Sequence, residues 1–255
     1  PPTLGVTAGG VTDSKLVYKN TDVAFTVNAS DTNGLKELII KVDGDDALGF
    51  PKTIGDEDRK KPFEHTFILE ADTVNHEKDK VYSILFTATD VADRITTVER
   101  NIMIDTKAPT LEITAPTSGE GVGTTDYIIR GTADDGEGKG LSTLEYSTNS
   151  TNGTDGTWTA ITKAAAWSKE GVDFSDGGQG EKTLWVRASD GLNDAVVKNV
   201  SFQYDTDPPS LTETAINTTN TVAKKELFSL AVEAQDSNAL KSLKITQIKE
   251  DGTSL

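Results

Sequence analysis

The chain repeats itself about every hundred residues, and this spacing limits its fold more than any other feature. Residues 105–111 return almost unchanged at 205–211, and the second half of this motif opens the chain at residues 1–4. The spacings between the shared prolines are 107 and 100 residues, which is the length of a small domain and too long for a solenoid repeat. The sequence therefore predicts two complete domains, 1–105 and 106–205, and the N-terminal half of a third, 206–255.

The charge of the chain argues against several classes of partner. Its 41 acidic and 25 basic residues give a formal net charge of −16, which repels nucleic acid and anionic membranes. There is no cysteine, so no disulfide supports the fold. No apolar run approaches the roughly 20 residues of a membrane span. We expect no nucleic-acid partner and no membrane contact within this segment.

Alternating apolar residues predict short β-strands. Apolar side chains at every second position mark a strand with one buried face. The pattern recurs in all three units, and in each it is followed two residues later by an aspartate. The three series are Val23, Phe25, Val27, Ala29; Tyr127, Ile129, Gly131, Ala133; and Phe228, Leu230, Val232, Ala234. A later strand recurs at an offset of 100 residues and ends at Asp90 and Asp190. About seven strands per unit indicate an all-β, antiparallel two-sheet sandwich.

The middle unit resembles a known family. Leu144-Glu145-Tyr146-Ser147, Gly156-Thr157-Trp158-Thr159 and Leu184-Trp185-Val186-Arg187-Ala188-Ser189-Asp190 look like strands of bacterial immunoglobulin-like domains, and the Asp-Thr-x-x-Pro linker is typical of their arrays. This resemblance implies tandem immunoglobulin-like sandwiches in a surface or secreted protein. The function it implies is a non-enzymatic, extracellular stalk or adhesion segment. Its partners would be a protein or a glycan on another surface and further domains of the same chain.

Strand directions predict that carboxylates gather at the joints between domains. In this topology the second and the penultimate strands end at one pole of the sandwich, where the preceding linker also enters. The first joint would collect Asp105, Asp134, Asp135, Asp190 and Asp194, and the second would collect Asp205, Asp207 and Asp236. Clustered carboxylates repel one another unless a cation bridges them. Ca²⁺ accepts six to eight oxygen ligands in flexible geometry, so we expect it to stiffen each joint.

A second interpretation of these aspartates stays open. Each can cap a turn, with its carboxylate accepting backbone N–H bonds at the end of a strand. Turn capping and metal ligation would both recur from one domain to the next. The arrangement resembles that of cadherin-like arrays, although the cadherin linker motif is absent. Asp134-Asp135-Gly136-Glu137-Gly138 is not an EF-hand loop either.

The sequence contains no convincing catalytic set, and its tryptophans suggest a different kind of site. His65 and His76 are the only histidines, and no phosphate-binding loop or nucleophile elbow is present. Trp158 and Trp185 of the middle unit would form an exposed aromatic patch able to stack on sugar rings or anchor a protein. The alternative is that one tryptophan fills the core and the others cover apolar surface under loops.

Two further functions remain as alternatives to the stalk. The chain could be a glycan-binding accessory region of a secreted polysaccharide-degrading enzyme, with those tryptophans as contacts. It could also be a surface-layer or filament subunit whose incomplete third unit takes a strand from a neighbouring chain.

Overall fold

The computed structural model describes residues 1–11, 16–71, 80–213, 231–238 and 240–246. Within these residues the regular structure consists of β-strands. Phe228, Leu230 and His76 of the sequence analysis lie outside the described residues. The described residues of the first domain form nine strands: β1 (Thr3–Thr7), β2 (Val17–Lys19), β3 (Val23–Ser30), β4 (Leu35–Val42), β5 (Asp45–Asp46), β6 (Lys52–Thr53), β7 (Phe63–Leu69), β8 (Lys80–Asp90) and β9 (Ile95–Ile104).

The strands of the first domain form two sheets that face each other. One sheet has the order β1-β3-β7, and the other has the order β2-β9-β8-β4-β5, with β6 also paired to β4. The neighbours are antiparallel except for β2 and β9, which are parallel. The chain thus begins on one sheet and continues on the other before β3 starts.

The second domain repeats this plan with eight strands. They are β10 (Thr110–Ala115), β11 (Gly121–Val122), β12 (Tyr127–Asp134), β13 (Thr143–Ser147), β14 (Thr159–Ala160), β15 (Ala166–Val172), β16 (Gly180–Ser189) and β17 (Val196–Tyr204). Its sheets have the orders β10-β12-β15 and β11-β17-β16-β13-β14, and β11 runs parallel to β17. The all-β sandwich prediction is confirmed in both complete units.

The described part of the third unit is a single antiparallel pair. Strands β18 (Ser210–Glu213) and β19 (Val232–Gln235) pair with Ser210 opposite Gln235. They occupy the places of β10 and β12 in the repeat.

The alternating pattern of the sequence matches the buried faces of the strands. In β3 the residues Val23, Phe25, Val27 and Ala29 are all buried, and in β8 every second residue from Tyr82 to Asp90 is buried. Each domain has its own apolar cluster between its two sheets. Val232 and Ala234 of the third unit are half-buried.

The core of the second domain is built around one tryptophan. Trp167 is buried, and Gly131 lies opposite it in the β12–β15 ladder. A Cβ atom at Gly131 would lie 2.2 Å from Trp167 Cζ2 and 2.0 Å from the carbonyl oxygen of Glu112. The indole ring therefore occupies the space that any side chain at position 131 would need.

The segment from Asp43 to Pro62 begins with a tight hairpin turn. Asp43 and Gly44 both have positive φ, and they form the two-residue turn of a hairpin between β4 and β5. This turn type matches the twist of paired strands and favours Asp-Gly. The dipeptide was the local signal for the hairpin.

In the part of the chain that the structure describes, no helix is long and apolar enough to span a membrane.

Candidate functional site at the joint between two domains

Three carboxylates meet where the first domain joins the second. Asp105, Asp135 and Asp190 each place one oxygen within 4.8 Å of the others. Each is the first residue after a strand: Asp105 follows β9, Asp135 follows β12 and Asp190 follows β16. These strand ends share one pole of the second domain, as the strand directions predicted.

Asp105 is bonded to both domains. Its side chain is fully buried. Its backbone N–H donates to the carbonyl oxygen of Lys19 in the first domain at 2.9 Å. The backbone N–H of Lys139 in the second domain donates to Asp105 Oδ2 at 2.8 Å. The last residue of the first domain is therefore also a structural part of the second.

Asp190 is a fully buried carboxylate that is held in its charged form. Burial alone raises its pKa, but donated hydrogen bonds and the nearby positive charge of Lys139 outweigh burial and hold the pKa below its usual value. The backbone N–H groups of Leu192 and Asn193 donate to Asp190 Oδ1 at 2.7 and 2.8 Å. The site thus contains a permanent negative charge at neutral pH.

The loop after β12 carries the third carboxylate and leaves space beside it. The N–H of Gly140 donates to Asp135 Oδ2 at 2.6 Å. A Cβ atom at Gly138 would lie 2.8 Å from Asp105 Oδ2 and 2.8 Å from Asp135 Oδ2. Glycine at position 138 therefore keeps the space between these two carboxylates open.

The side-chain amide of Asn193 lies among more oxygens than it can satisfy. Its nitrogen is within hydrogen-bond distance of four acceptors: Asp190 Oδ2 (2.8 Å), Lys107 O (2.9 Å), Asp105 Oδ1 (3.2 Å) and Asp105 O (3.3 Å). An amide has only two hydrogens to donate. The joint therefore concentrates carboxylate and carbonyl oxygens around one small volume.

A second contact across the joint lies beside this cluster. The side-chain amide of Asn20, next to β2, donates to the carbonyl oxygen of Leu192 at 2.5 Å. Leu192 belongs to the turn that also holds Asn193. This bond is a second link between the two domains, in addition to the bonds that Asp105 makes.

At the corresponding pole of the first domain, an arginine offsets the charge of the buried aspartate. Asp90, one hundred residues before Asp190, is fully buried, and Arg94 Nε donates to its Oδ2 at 2.7 Å. Burial raises the pKa of Asp90, but bonds from Arg94 and Ala92 outweigh burial and hold the pKa below its usual value. In the second domain the residue in the place of Arg94 is Asp194.

The remaining predicted ligands of the first joint lie apart from the three-carboxylate group. Asp134 is the last residue of β12, and its exposed side chain accepts the N–H of Gly136 at 3.2 Å. Asp194 is exposed. Successive strand residues point in opposite directions, which separates Asp134 from Asp135. Asp134 therefore fits the turn-capping interpretation.

At the second joint the described residues include no comparable group of three carboxylates. Asp205 Oδ1 accepts the N–H of Asp207 at 3.1 Å, and Asp236 Oδ1 accepts the N–H of Asn238 at 2.9 Å. Both contacts are local turn bonds. Gathering of Asp205, Asp207 and Asp236 around a cation stays a prediction.

The two predicted contact tryptophans are partly covered by their neighbours. The Arg187 guanidinium lies 4.1 Å from the ring centroid of Trp158, and the same group pairs with Glu145 at 2.7 Å. Trp158 Nε1 donates to the carbonyl oxygen of Asp155 at 2.9 Å. Trp185 is half-buried, and its ring packs against Gly153. Arg187 therefore covers one face of Trp158. A sugar or protein contact at Trp158 and Trp185 stays a prediction.

Sequence reasoning missed Asn193, Gly138 and the carbonyl of Lys107. Asn193 stands where the first unit has Asp93, so the internal repeat marked a polar position there. A neutral amide at this position gives no signal in the pattern of acidic residues. Gly138 and the Lys107 carbonyl act through backbone geometry, which has no signal in side-chain chemistry.

Comparisons with known proteins support the fold. No family model matches the chain, and no curated protein matches it. A solved I-band fragment of titin is 11% identical, with a TM-score of 0.50, over 98% of this chain and 84% of that one. An E-to-A variant of this titin fragment gives the same identity and TM-score over 99% and 85%. Fibronectin(III)-like modules of Clostridium thermocellum CbhA are 15% identical, with a TM-score of 0.37, over 78% and 94%.

Because the sequence identities are only 11–15%, the similarity to these structures concerns the fold alone. The chain is a tandem array of immunoglobulin-like β-sandwiches.

Proposed function

We propose that this chain is a non-enzymatic spacer within an extracellular stalk or adhesion protein of a bacterial surface, and that Ca²⁺ stiffens its first joint. The observation that carries the proposal is the oxygen cluster formed by Asp105, Asp135 and Asp190 around the Asn193 amide. The bacterial and surface assignments come from the sequence resemblance.

The donor set suits calcium. Three carboxylates, the carbonyls of Asp105 and Lys107, and the Asn193 side-chain oxygen after an amide flip supply six oxygen ligands from the protein. Calcium takes six to eight oxygens in flexible geometry, whereas Mg²⁺ requires near-ideal octahedral geometry and retains water. The donors come from a linker and two loops, which favours the more tolerant ion.

The charge balance supports a cation at this joint. In the first domain Arg94 neutralises the buried Asp90. The second domain has Asp194 in the place of this arginine and adds Asp105 and Asp135 beside the buried Asp190. Lys139 supplies one nearby positive charge. Three carboxylates and one lysine leave a negative excess that a divalent ion would offset.

A bound ion would limit bending between the domains. Its ligands would come from the linker at Asp105 and Lys107 and from two loops of the second domain at Asp135 and Asp190. Binding energy would then be lost whenever the linker swung away from the second domain. An acidic, polar surface keeps a long array of such domains soluble.

Calcium titration of the EDTA-treated chain tests this proposal. We expect about one ion per chain by isothermal titration calorimetry and a raised melting temperature for the second domain. Asp105→Asn should abolish both effects. Asp205→Asn is the matched control, because Asp205 directly follows the equivalent strand at the next joint, and it should retain the binding at the first joint.

Small-angle scattering tests the mechanical part separately. Calcium should narrow the distribution of interdomain distances in the native chain and leave that of Asp105→Asn unchanged. Binding without a change in scattering would retain the metal site but reject the stiffening role. No binding at millimolar calcium would assign all three aspartates to turn capping.

A further inference from the structure

A groove of about 840 Å³ opens on the side of the first domain. It lies between β5 at the edge of one sheet and β7 at the edge of the other. Its walls combine apolar and aromatic side chains. These are Val42, Ala47, Leu48, Phe67, Ile68 and Tyr82.

Among the residues that the structure describes, both strands beside the groove pair on one side only. In the described part of the chain, β7 pairs with β3 on one side and β5 pairs with β4 on one side. The backbone of β7 makes no hydrogen bond outside the β3 ladder among these residues. A strand edge of this kind presents a row of donors and acceptors to any extended chain that reaches it.

Acidic side chains surround the apolar floor. Asp43, Asp45, Asp46 and Glu70 line the groove, against the single lysine Lys80. Lys80 lies 3.3 Å from Asp43 and Lys41 lies 3.5 Å from Asp46, so the charges of these two aspartates are partly offset, and Asp45 and Glu70 contribute most of the negative charge. Burial, and then the charge of Lys52, lowers the pKa of His65, which keeps this lining residue neutral at pH 7. The rim therefore has a net negative charge.

The equivalent edge of the second domain has a different surface. Strand β15 occupies the place of β7 and carries Lys169 and Glu170 next to one another. Charged residues on an edge strand discourage pairing with another chain. By contrast, Ile68 in β7 is 51% exposed, and Leu48 across the groove is fully exposed. Both edge strands carry an exposed glutamate, Glu64 in β7 and Glu170 in β15, and they differ in that only β15 adds a lysine, Lys169.

We propose that this groove binds an extended segment of a partner protein in which basic and apolar residues alternate, and that the segment adds to β7 as a further strand. Backbone hydrogen bonds to β7 would hold the segment. Its apolar side chains would face the groove beside Phe67 and Leu48, and its basic side chains would lie on the opposite face of β7, beside Ile68 and Glu70. This interaction goes beyond the spacer role and does not depend on calcium.

A synthetic peptide serves as the probe. A fluorescein-labelled peptide of about nine residues that alternates lysine and valine should bind the full chain saturably, measured by fluorescence anisotropy. Amide chemical shifts should change along Phe63–Leu69. The same peptide with alternate backbone nitrogens methylated should not bind, because it lacks the donors that strand addition needs. A glutamate–valine peptide should not bind either.

Two triple variants with the same change in net charge distinguish binding in the groove from unspecific attraction of a basic peptide to an acidic protein. Asp45→Asn/Asp46→Asn/Glu70→Gln should weaken binding about tenfold, as three exposed charge pairs allow. Glu170→Gln/Asp176→Asn/Glu181→Gln on the second domain should bind within about twofold of the native chain. Leu48→Ser, at a fully exposed site, should also weaken binding without affecting folding.

Three results would overturn the proposal. One is the absence of saturable binding by the lysine–valine peptide. Another is an equal loss of affinity in both triple variants, which would mean unspecific charge attraction. The third is undiminished binding of the methylated peptide, which would rule out strand addition.

Discussion

The side-chain amide of Asn193 lies 3.2 Å from Asp105 Oδ1, so a turn of the second domain holds the residue that ends the first. The same amide lies 2.8 Å from Asp190 Oδ2. One neutral side chain thus lies between two buried carboxylates. The geometry of this joint depends on how those charges are balanced.

Changing Asn193 to aspartate should make the joint more dependent on calcium. The variant loses an amide donor and adds a fourth carboxylate. We expect the calcium-free protein to lose about 1–3 kcal/mol of stability, because buried acceptors lose their donor. Its calcium affinity should rise. Differential scanning calorimetry with EDTA and with calcium measures both effects. The control is Asn33→Asp, an identical charge change at an exposed site of the first domain.

A methyl group at position 138 should close the space between two carboxylates. The Cβ of Gly138→Ala would lie 2.8 Å from an oxygen of Asp105 and an oxygen of Asp135, so the loop must shift. We expect calcium affinity to fall at least tenfold in calorimetric titration. Gly121→Ala is the control, because nothing lies within 4 Å of a Cβ there. Equal affinity in both variants would contradict a site at this position.

Gly131→Ala should destabilise the second domain severely. Its Cβ would overlap both the Trp167 ring and a backbone oxygen, and overpacking of a rigid core costs about 1–3 kcal/mol or more. All three tryptophans belong to this domain, so denaturant unfolding followed by indole fluorescence reports on it directly. Gly121→Ala again provides the control. A midpoint equal to that of the native chain would show that Trp167 does not depend on glycine at position 131.

Acid unfolding of the first domain should depend on Arg94. The folded-state pKa of Asp90 is below its usual value, so its contribution to stability is present above the unfolded pKa and is lost as the pH falls through the folded pKa. Arg94→Met removes the Nε bond and the positive charge that lower this pKa, and it leaves the backbone N–H bond of residue 94 in place. The acid transition should therefore begin at a higher pH.

Residue-resolved NMR during an acid titration would measure this shift, with the amide signals of Phe25 and Ile84 as reporters for the first domain. Lys60→Met removes a positive charge from an exposed position and should leave the transition where it is in the native chain. An unchanged transition in Arg94→Met would show that the ion pair with Asp90 does not stabilise the folded state.

Much of the fold could be predicted because one face of each strand is buried. The period-two pattern identified the inward residues of β3, β8, β12 and β16, and strand direction placed Asp105 near Asp135 and Asp190. The same alternation puts Asp135 on the buried face of Ala133 and Asp134 on the opposite face, so the sequence already separated these neighbours.

Other features depend on contacts between distant segments. The fit of Trp167 against Gly131 follows from the β12–β15 register, and composition does not indicate this register. The groove between β5 and β7 requires two edges from different sheets to open on the same side. The Asp43-Gly44 turn, by contrast, has a local signal in the sequence, because Asp-Gly is a dipeptide that such hairpin turns favour.

The parallel pairs β2–β9 and β11–β17 determine how each domain would respond to tension. In the second domain, tension applied along the array reaches β11 near the entry and β17 near the exit, and these neighbours lie side by side. Gln203 N–H bonds to Glu120 O at 2.8 Å, and Asp205 N–H bonds to Val122 O at 3.0 Å. A pull on the two ends would load these bonds together in shear, so they must break at once before the sandwich can extend.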